Sequence, residues 1–299
     1  MTTAPLPGLC ETLGPGVRRV LAPNPSPMTL HGTNSYLIGS GDVALIDPGP
    51  NLPGHGAALM AALRKGERIS HILVTHSHLD HSPLAHPMAA SLGVRVYAFG
   101  RSTAGRSPQM QTLAAAGLLA GGEGIDAGFV PDEALAHGQR LAHGDWALTA
   151  LHTPGHLSNH LCFAFGDMLF SGDHVMGWAS SLVSPPDGDM AAYMASTRSL
   201  AAQSWSVIHS GHGAPITDPA ARLAFLIQHR TDREAAILAQ LARGITTIPA
   251  LTEILYRDTP APLRHAAQRN VLAHLLDLAA QARVAAHPAP GLSAQYRLT

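Results

Sequence analysis

The chain has 299 residues, 46% hydrophobic and 13% charged, a composition that can bury a core and excludes a disordered protein. At this length one large domain with a smaller companion is the first expectation. A formal net charge of -1 excludes a global field that would favour nucleic acid or an anionic membrane.

Histidine is unusually abundant: 19 residues, equal to lysine and arginine combined. It is the commonest metal ligand and the usual acid or base near neutral pH, so the surplus directs attention to clusters. Two cysteines, Cys10 and Cys162, exclude both a disulfide framework and a cysteine-rich zinc site. No apolar stretch approaches the roughly 18 residues of a membrane span. The opening MTTAPLPGLCETLGPG lacks a basic region followed by an apolar one. A soluble, cytoplasmic protein with no membrane partner is expected.

In chain order, residues 35–38 (SYLI) and 43–46 (VALI) read as strands around a Gly-Ser-Gly-Asp turn that end at Asp47-Pro48-Gly49. Residues 56–64 read as a helix, 71–75 (HILVT) as a buried strand and 94–98 as another. Residues 101–128, rich in Gly, Ala and Ser, read as a loop-rich insertion with helical pieces near 110–120. Short strands follow at 147–152, 160–165, 168–170 and 207–209. The pattern changes after Pro219. Leu223, Leu226, Ile227, Ile237, Leu238 and Leu241 mark one stripe of a long helix. Arg230 and Glu234 interrupt it at i,i+4 and are expected to pair. Ile248, Leu251 and Leu255 mark a second helix. Leu263, Ala267, Val271, Leu275 and Leu278 mark a third, and the tail is expected to be nearly all helix. The expected division is residues 1–220 and 221–299.

The segment Thr75-His76-Ser77-His78-Leu79-Asp80-His81 follows the strand HILVT directly. His76 and His78, two apart in extended backbone, point the same way. Asp80 and His81 fall where the chain turns and can face a neighbouring position. Imidazole and carboxylate together suit zinc or a similar first-row ion. Further donors follow later strands, each beside a glycine that lets backbone approach closely: His156 in Thr-Pro-Gly-His, Asp173 in Ser-Gly-Asp and His212 in Ser-Gly-His-Gly. That recurrence is what a metal basin at one sheet edge requires.

In order and kind these residues resemble the metallo-β-lactamase superfamily, whose pattern is His-x-His-x-Asp-His followed by His, Asp and His, each after a strand. The resemblance implies an α/β protein, an αββα sandwich with the metals at one sheet edge. By that resemblance His76, His78 and His156 would hold one metal, Asp80, His81 and His212 a second, and Asp173 would bridge them. Asp80 would also orient the water and handle its proton. Gly32-Thr33-Asn34-Ser35-Tyr36-Leu37, His229-Arg230 with Arg233-Glu234, and the helical tail resemble the lactamase-beta-like subgroup with a C-terminal winged-helix domain. Some of its members are endoribonucleases and many are unassigned hydrolases. Ser82-Pro83 departs from the glycines that many superfamily members carry after the motif.

The expected activity is hydrolysis of an ester, thioester, lactone or related bond in a small molecule by a two-metal-activated hydroxide. The expected ions are two zinc per chain, with manganese or iron(II) as substitutes. Two alternatives are a metal-dependent endoribonuclease and a metal-binding regulator associated with nucleic acid; a homodimer is a further possibility. Residues 243–299 carry six arginines against three acidic residues, a modest excess for RNA binding. Arg257, Arg264 and Arg269 are the arginines that would neutralise phosphates. Asp47 reads equally as a partner of the metal ligands or as a turn residue. His152, His160 and His209 read as structural histidines, and His174 is open between roles. Trp178 and residues 184–189 read as a lip near the pocket, and Tyr193 as a candidate substrate contact.

Overall fold

The computed structural model describes residues 5–118 and 124–299. Two β-sheets face each other across an apolar interior, and helices cover both outer faces. The first sheet takes its seven strands in sequence order: β1 (Cys10–Gly14), β2 (Val17–Leu21), β3 (Asn34–Ile38), β4 (Asp42–Ile46), β5 (Arg68–Leu73), β6 (Arg95–Ala98) and β7 (Glu133–Ala134). The second has β8 (Arg140–His143), β9 (Trp146–His152), β10 (Leu161–Phe165), β11 (Met168–Gly172) and β12 (Val207–Ser210), side by side from β12 back to β8.

The period of two in each strand assigns its side chains to layers. Tyr36, Ile38, Ala44, Ile46 and Leu73 point between the sheets, where they meet Leu148, Ala150, Leu161, Phe163 and Phe170. The alternate residues Leu37, Val43, Leu45 and Ile72 lie on the other face of the first sheet. There α1 (His55–Ala61) and α2 (Ala85–Leu92) cover them with Leu59 and Met88. On the second sheet, Cys162, Leu169 and Ile208 pack under α4 (Met190–Ala201) and α5 (Pro219–Ala242) through Leu200, Leu223 and Leu226. Because β3 and β4 are covered on both faces, SYLI and VALI are near-continuous apolar runs.

Strand direction places the loops. The strand β10 is antiparallel to both β9 and β11, and β11 is parallel to β12. The carboxyl ends of β9, β11 and β12 therefore meet at one edge. The segment leaving β5 joins them, since Leu161 N–H donates to Thr75 O at 2.7 Å.

No alternating pattern marks VRRVL as a strand, yet it forms β2, with both arginines inside. Arg18 donates to Ala62 O at 2.9 Å and Glu67 at 2.7 Å, and Arg19 to Gly213 O at 3.0 Å. Buried charge survives there because each guanidinium is bonded. The insertion contains α3 (Pro108–Ala115), and residues 119 and 120 of its expected helical part lie outside the described residues.

The C-terminal part has its own core. Ile237 and Leu241 of α5 pack with α6 (Ile248–Leu255), α7 (Arg264–Ala280), β13 (Val284–His287) and β14 (Gln295–Leu298). The tail is thus not nearly all helix: it closes with an antiparallel hairpin pairing Ala286 with Tyr296. Few large side chains anchor the hairpin, notably Val284 and Tyr296, so its alanine-rich strands carry little periodic signal. The expected Arg230–Glu234 pair is also replaced. Arg230, 1% exposed, donates to Ser181 O and Asn270 Oδ1, while Glu234 takes Arg283 at 2.5 Å.

Among the described residues no helix is long and apolar enough to cross a membrane. Leu275 is fully buried in the C-terminal core. Leu275→Ala should lower unfolding stability by about 2–5 kcal/mol in urea denaturation, the usual cost of a buried leucine cavity. A loss under about 0.5 kcal/mol, as at a surface position, would contradict a packed core there.

Candidate metal centre

The seven donors found in the sequence converge at the shared sheet edge in two adjoining groups. His76, His78, His156 and Asp173 form one; Asp80, His81 and His212 form the other, with donor atoms inside each group within 4.8 Å of one another. His76 Nε2 and His156 Nε2 lie 2.9 and 3.0 Å from His78 Nδ1. His212 Nε2 lies 3.2 Å from Asp80 Oδ2. Asp173 reaches both groups. Its Oδ1 is 3.4 Å from His81 Nε2 and 3.3 Å from His212 Nε2, and its Oδ2 is 3.8 Å from His156 Nε2.

Close packing at this edge requires Gly211. A Cβ there would stand 2.4 Å from Asp173 Oδ1 and 2.8 Å from His81 Cε1. The glycine is what allows the turn after β12 to approach the Asp173 carboxylate so closely.

Four of the five rings are aimed by a bond on the far side. His156 Nδ1 donates to Leu182 O at 2.7 Å, and His212 Nδ1 to Gly32 O at 3.1 Å. Asp47 serves two rings. Its Oδ2 accepts from His81 Nδ1 at 2.9 Å and from Thr75 Oγ1 at 2.7 Å, and Thr75 Oγ1 in turn meets His76 Nδ1 at 2.9 Å. Asp47 is buried and has a φ of 49°, a left-handed conformation uncommon for a non-glycine residue. It orients the cluster; it is not a mere turn residue. The Gly32–Leu37 motif holds the final loop: Asn34 Nδ2 donates to Ser210 O and Gly213 O, both at 2.9 Å, and Tyr36 OH to Ser210 O at 2.6 Å.

The electrostatics divide by group. Burial pushes the His76 and His156 imidazoles down, and His78 down to about 3, leaving neutral nitrogens with lone pairs free to donate. Burial opposes ionisation of Asp173, but His212 and His81 beside it hold its carboxyl well below the usual range. Burial likewise opposes protonation of His212, and Asp173 and Asp80 outweigh it, raising that ring to about 10. Among the described residues, His81 Nε2 and Asp173 Oδ1 are buried with no hydrogen-bond partner. Two orphaned donor atoms, facing each other within an imidazole and carboxylate set, fit a divalent metal cation.

Histidines nearby play structural parts. His160 Nδ1 meets Thr153 Oγ1 at 3.0 Å and its Nε2 accepts from Asp173 N–H at 3.3 Å. His152 stacks on Phe99 at 3.7 Å, His209 on Phe170 at 5.1 Å, and His174 Nε2 meets Thr197 Oγ1 at 3.1 Å. Ser82, where the pattern departs from glycine, ties the motif loop to Asp126 at 2.8 Å.

A cavity of about 480 Å³ opens onto both groups. Its described walls are mainly apolar, with Met28, Leu52, Leu79, Ile125 and Met176, and carry no Phe, Tyr or Trp. Of the expected lip, Ser184 and Asp187 line it, and Trp178 instead lies beside Gly213. Tyr193 is fully buried 4.7 Å from the His174 ring and is no substrate contact. Sequence reasoning missed Arg269 in this wall. Grouped above with phosphate-neutralising arginines, it is 3% exposed and donates to Ser184 Oγ at 2.9 Å and to Pro185 O. No local motif marks it, because it reaches the cavity from a separate helical layer.

Residues 28–212 match the Metallo-beta-lactamase superfamily and residues 247–291 the Beta-lactamase associated winged helix domain. The chain is 33% identical over 274 residues to the Beta-lactamase-like protein 2 homolog of Drosophila melanogaster, spanning 88% of this chain and 87% of that protein. It is 33% identical over 245 residues to the Thioesterase pkgB of Emericella nidulans, spanning 79% of this chain and 62% of that protein. The structure of a metallo-beta-lactamase family protein from Thermus thermophilus aligns with a TM-score of 0.75 at 25% identity, over 96% of this chain and 100% of that one. With its sandwich, its clustered histidines and aspartates and its helical, hairpin-ended tail, the chain belongs to the metallo-beta-lactamase superfamily of metal-dependent hydrolases, in the form that carries a C-terminal winged-helix domain.

Proposed function

We propose that this protein hydrolyses a thioester or ester of a largely apolar small molecule. The observation that carries this reading is the apolar cavity opening onto two adjoining sets of metal-donor atoms. The similarity to a protein named as a thioesterase supports the bond type. A ribonuclease cavity would be expected to offer several cationic side chains and stacking aromatics. Here the described walls offer one arginine, already bonded to Ser184 and Pro185.

His76, His78 and His156 would hold one zinc ion and Asp80, His81 and His212 a second, with Asp173 shared. Ions bound there would acidify a shared water and polarise the scissile carbonyl. Asp80 lines the cavity beside them and is the candidate for orienting that water. Burial opposes its ionisation, but the neighbouring His81 and His212 hold its carboxyl below the usual range. An ionised Asp80 would accept a hydrogen bond from that water and fix its line of attack. Met28, Leu52 and Met176 would exclude bulk water and hold the apolar part of the substrate.

A panel of acyl thioesters, esters, lactones, β-lactams and single-stranded RNA, offered to the zinc-loaded protein, tests the substrate class. Turnover of apolar acyl thioesters or esters with RNA left intact is expected; cleavage of RNA without ester or thioester turnover would reverse the assignment. Elemental analysis of protein purified without chelator should approach two zinc per chain. Asp173→Asn should lose at least one ion and most turnover; two retained ions at near-normal rate would remove Asp173 from the centre. Asp47→Asn removes the charged acceptor behind His81 and Thr75, and should weaken zinc binding by about 10–100-fold in chelator competition. Unchanged affinity would return Asp47 to the role of a turn residue.

A further inference from the structure

The segment formed by residues 181–185 runs between the cavity and α7. Leu182 and Ser184 line the cavity, while Val183 points away into a small apolar cluster with Met190, Tyr193, Met194 and Ala273. Bonds from outside the catalytic sheets hold this strap at four positions. Arg230 of α5 donates to Ser181 O. Asn270 Oδ1 of α7 accepts from Val183 N–H at 3.0 Å. Arg269, also of α7, donates to Ser184 Oγ at 2.9 Å and to Pro185 O. Asn270 Oδ1 also takes Arg230 Nη1 at 3.5 Å, so the anchors are joined to each other.

The Leu182 carbonyl and the Val183 N–H belong to one planar peptide unit, and they point in opposite directions across it. On one side Val183 N–H is bonded to Asn270. On the other, Leu182 O accepts from His156 Nδ1 at 2.7 Å. Fixing one edge of a rigid plane fixes the other, so Asn270 determines where the carbonyl that aims His156 stands. The bond also polarises the peptide: an amide whose N–H is engaged is a better acceptor at its oxygen. A stronger bond at His156 Nδ1 holds the tautomer that leaves Nε2 free and raises its basicity as a ligand.

We propose that Asn270 is a positioning residue for His156, acting through the Leu182–Val183 peptide, so that the winged-helix domain is a working part of the metal centre. The inference rests on the metal reading above. It extends that reading to a residue lying beyond the matched catalytic segment 28–212 and inside the matched winged-helix segment 247–291.

Chelator competition with zinc alone, on the full chain, tests it through the affinities of the two binding events. Asn270→Leu removes the acceptor and should weaken one of the two events by about tenfold, the lower end of what removing a ligand's orienting partner costs. Asn270→Asp keeps an acceptor for Val183 N–H and should hold wild-type affinity. Leu275→Ala, in the same helix but away from the strap, should lower thermal stability and leave both affinities unchanged. Where Asn270→Leu does not fold, Asn270→Ala carries the same expectation. Wild-type affinity in the leucine and alanine variants would overturn the proposal. So would an equal loss of affinity in Leu275→Ala, which would reduce Asn270 to general packing. Failure of the wild-type chain to take up zinc would instead overturn the metal reading itself.

Discussion

The ionised carboxylate of Asp173 is the group on which the rest of the centre depends. It is buried, where an isolated charge is unfavourable, and it persists because the His212 and His81 rings stand beside it. Reaching it requires β11, β12 and the loop after β5 to end at one edge, with a glycine at position 211 so that nothing intervenes. The parallel pairing of β11 and β12, with α4 crossing between them, supplies that convergence. The fold is therefore the device that brings together donors spread from His76 to His212.

Much of this is legible in the residues. SYLI, VALI and HILVT mark strands because they are apolar runs in a sheet covered on both faces, and all seven donors named from the sequence stand at one edge. What escapes is what long-range packing decides. The strand VRRVL hides behind two arginines whose partners, Ala62, Glu67 and Gly213, are distant in sequence. The terminal hairpin hides in alanines. Arg230 and Glu234 satisfy the spacing of a helical ion pair, but a buried guanidinium takes the partners that tertiary packing offers, here Ser181 and Asn270. Asp47 is evenly balanced between two roles in the sequence, and only its bonds to His81 and Thr75 decide between them.

The C-terminal domain changes meaning once its contacts are known. By charge count it reads as a weak candidate for nucleic-acid binding. In the structure Arg269 and Asn270 turn inward to the cavity wall, and Gln109 of the insertion donates to Leu276 O at 3.1 Å from the other side. The domain thus packs as a third layer against the catalytic edge. Its bonds fall on residues 181–185, the same segment whose Leu182 O accepts from His156 Nδ1.

The central claim is that one carboxylate joins two ions in a single centre. X-ray absorption at the zinc edge of the loaded, full-length protein tests it most directly. The account predicts a metal–metal vector of about 3.5–4 Å alongside nitrogen and oxygen neighbours. That vector should vanish in Asp173→Asn. Spectra of the fully loaded wild-type chain that show nitrogen and oxygen ligands but no metal–metal vector would contradict it.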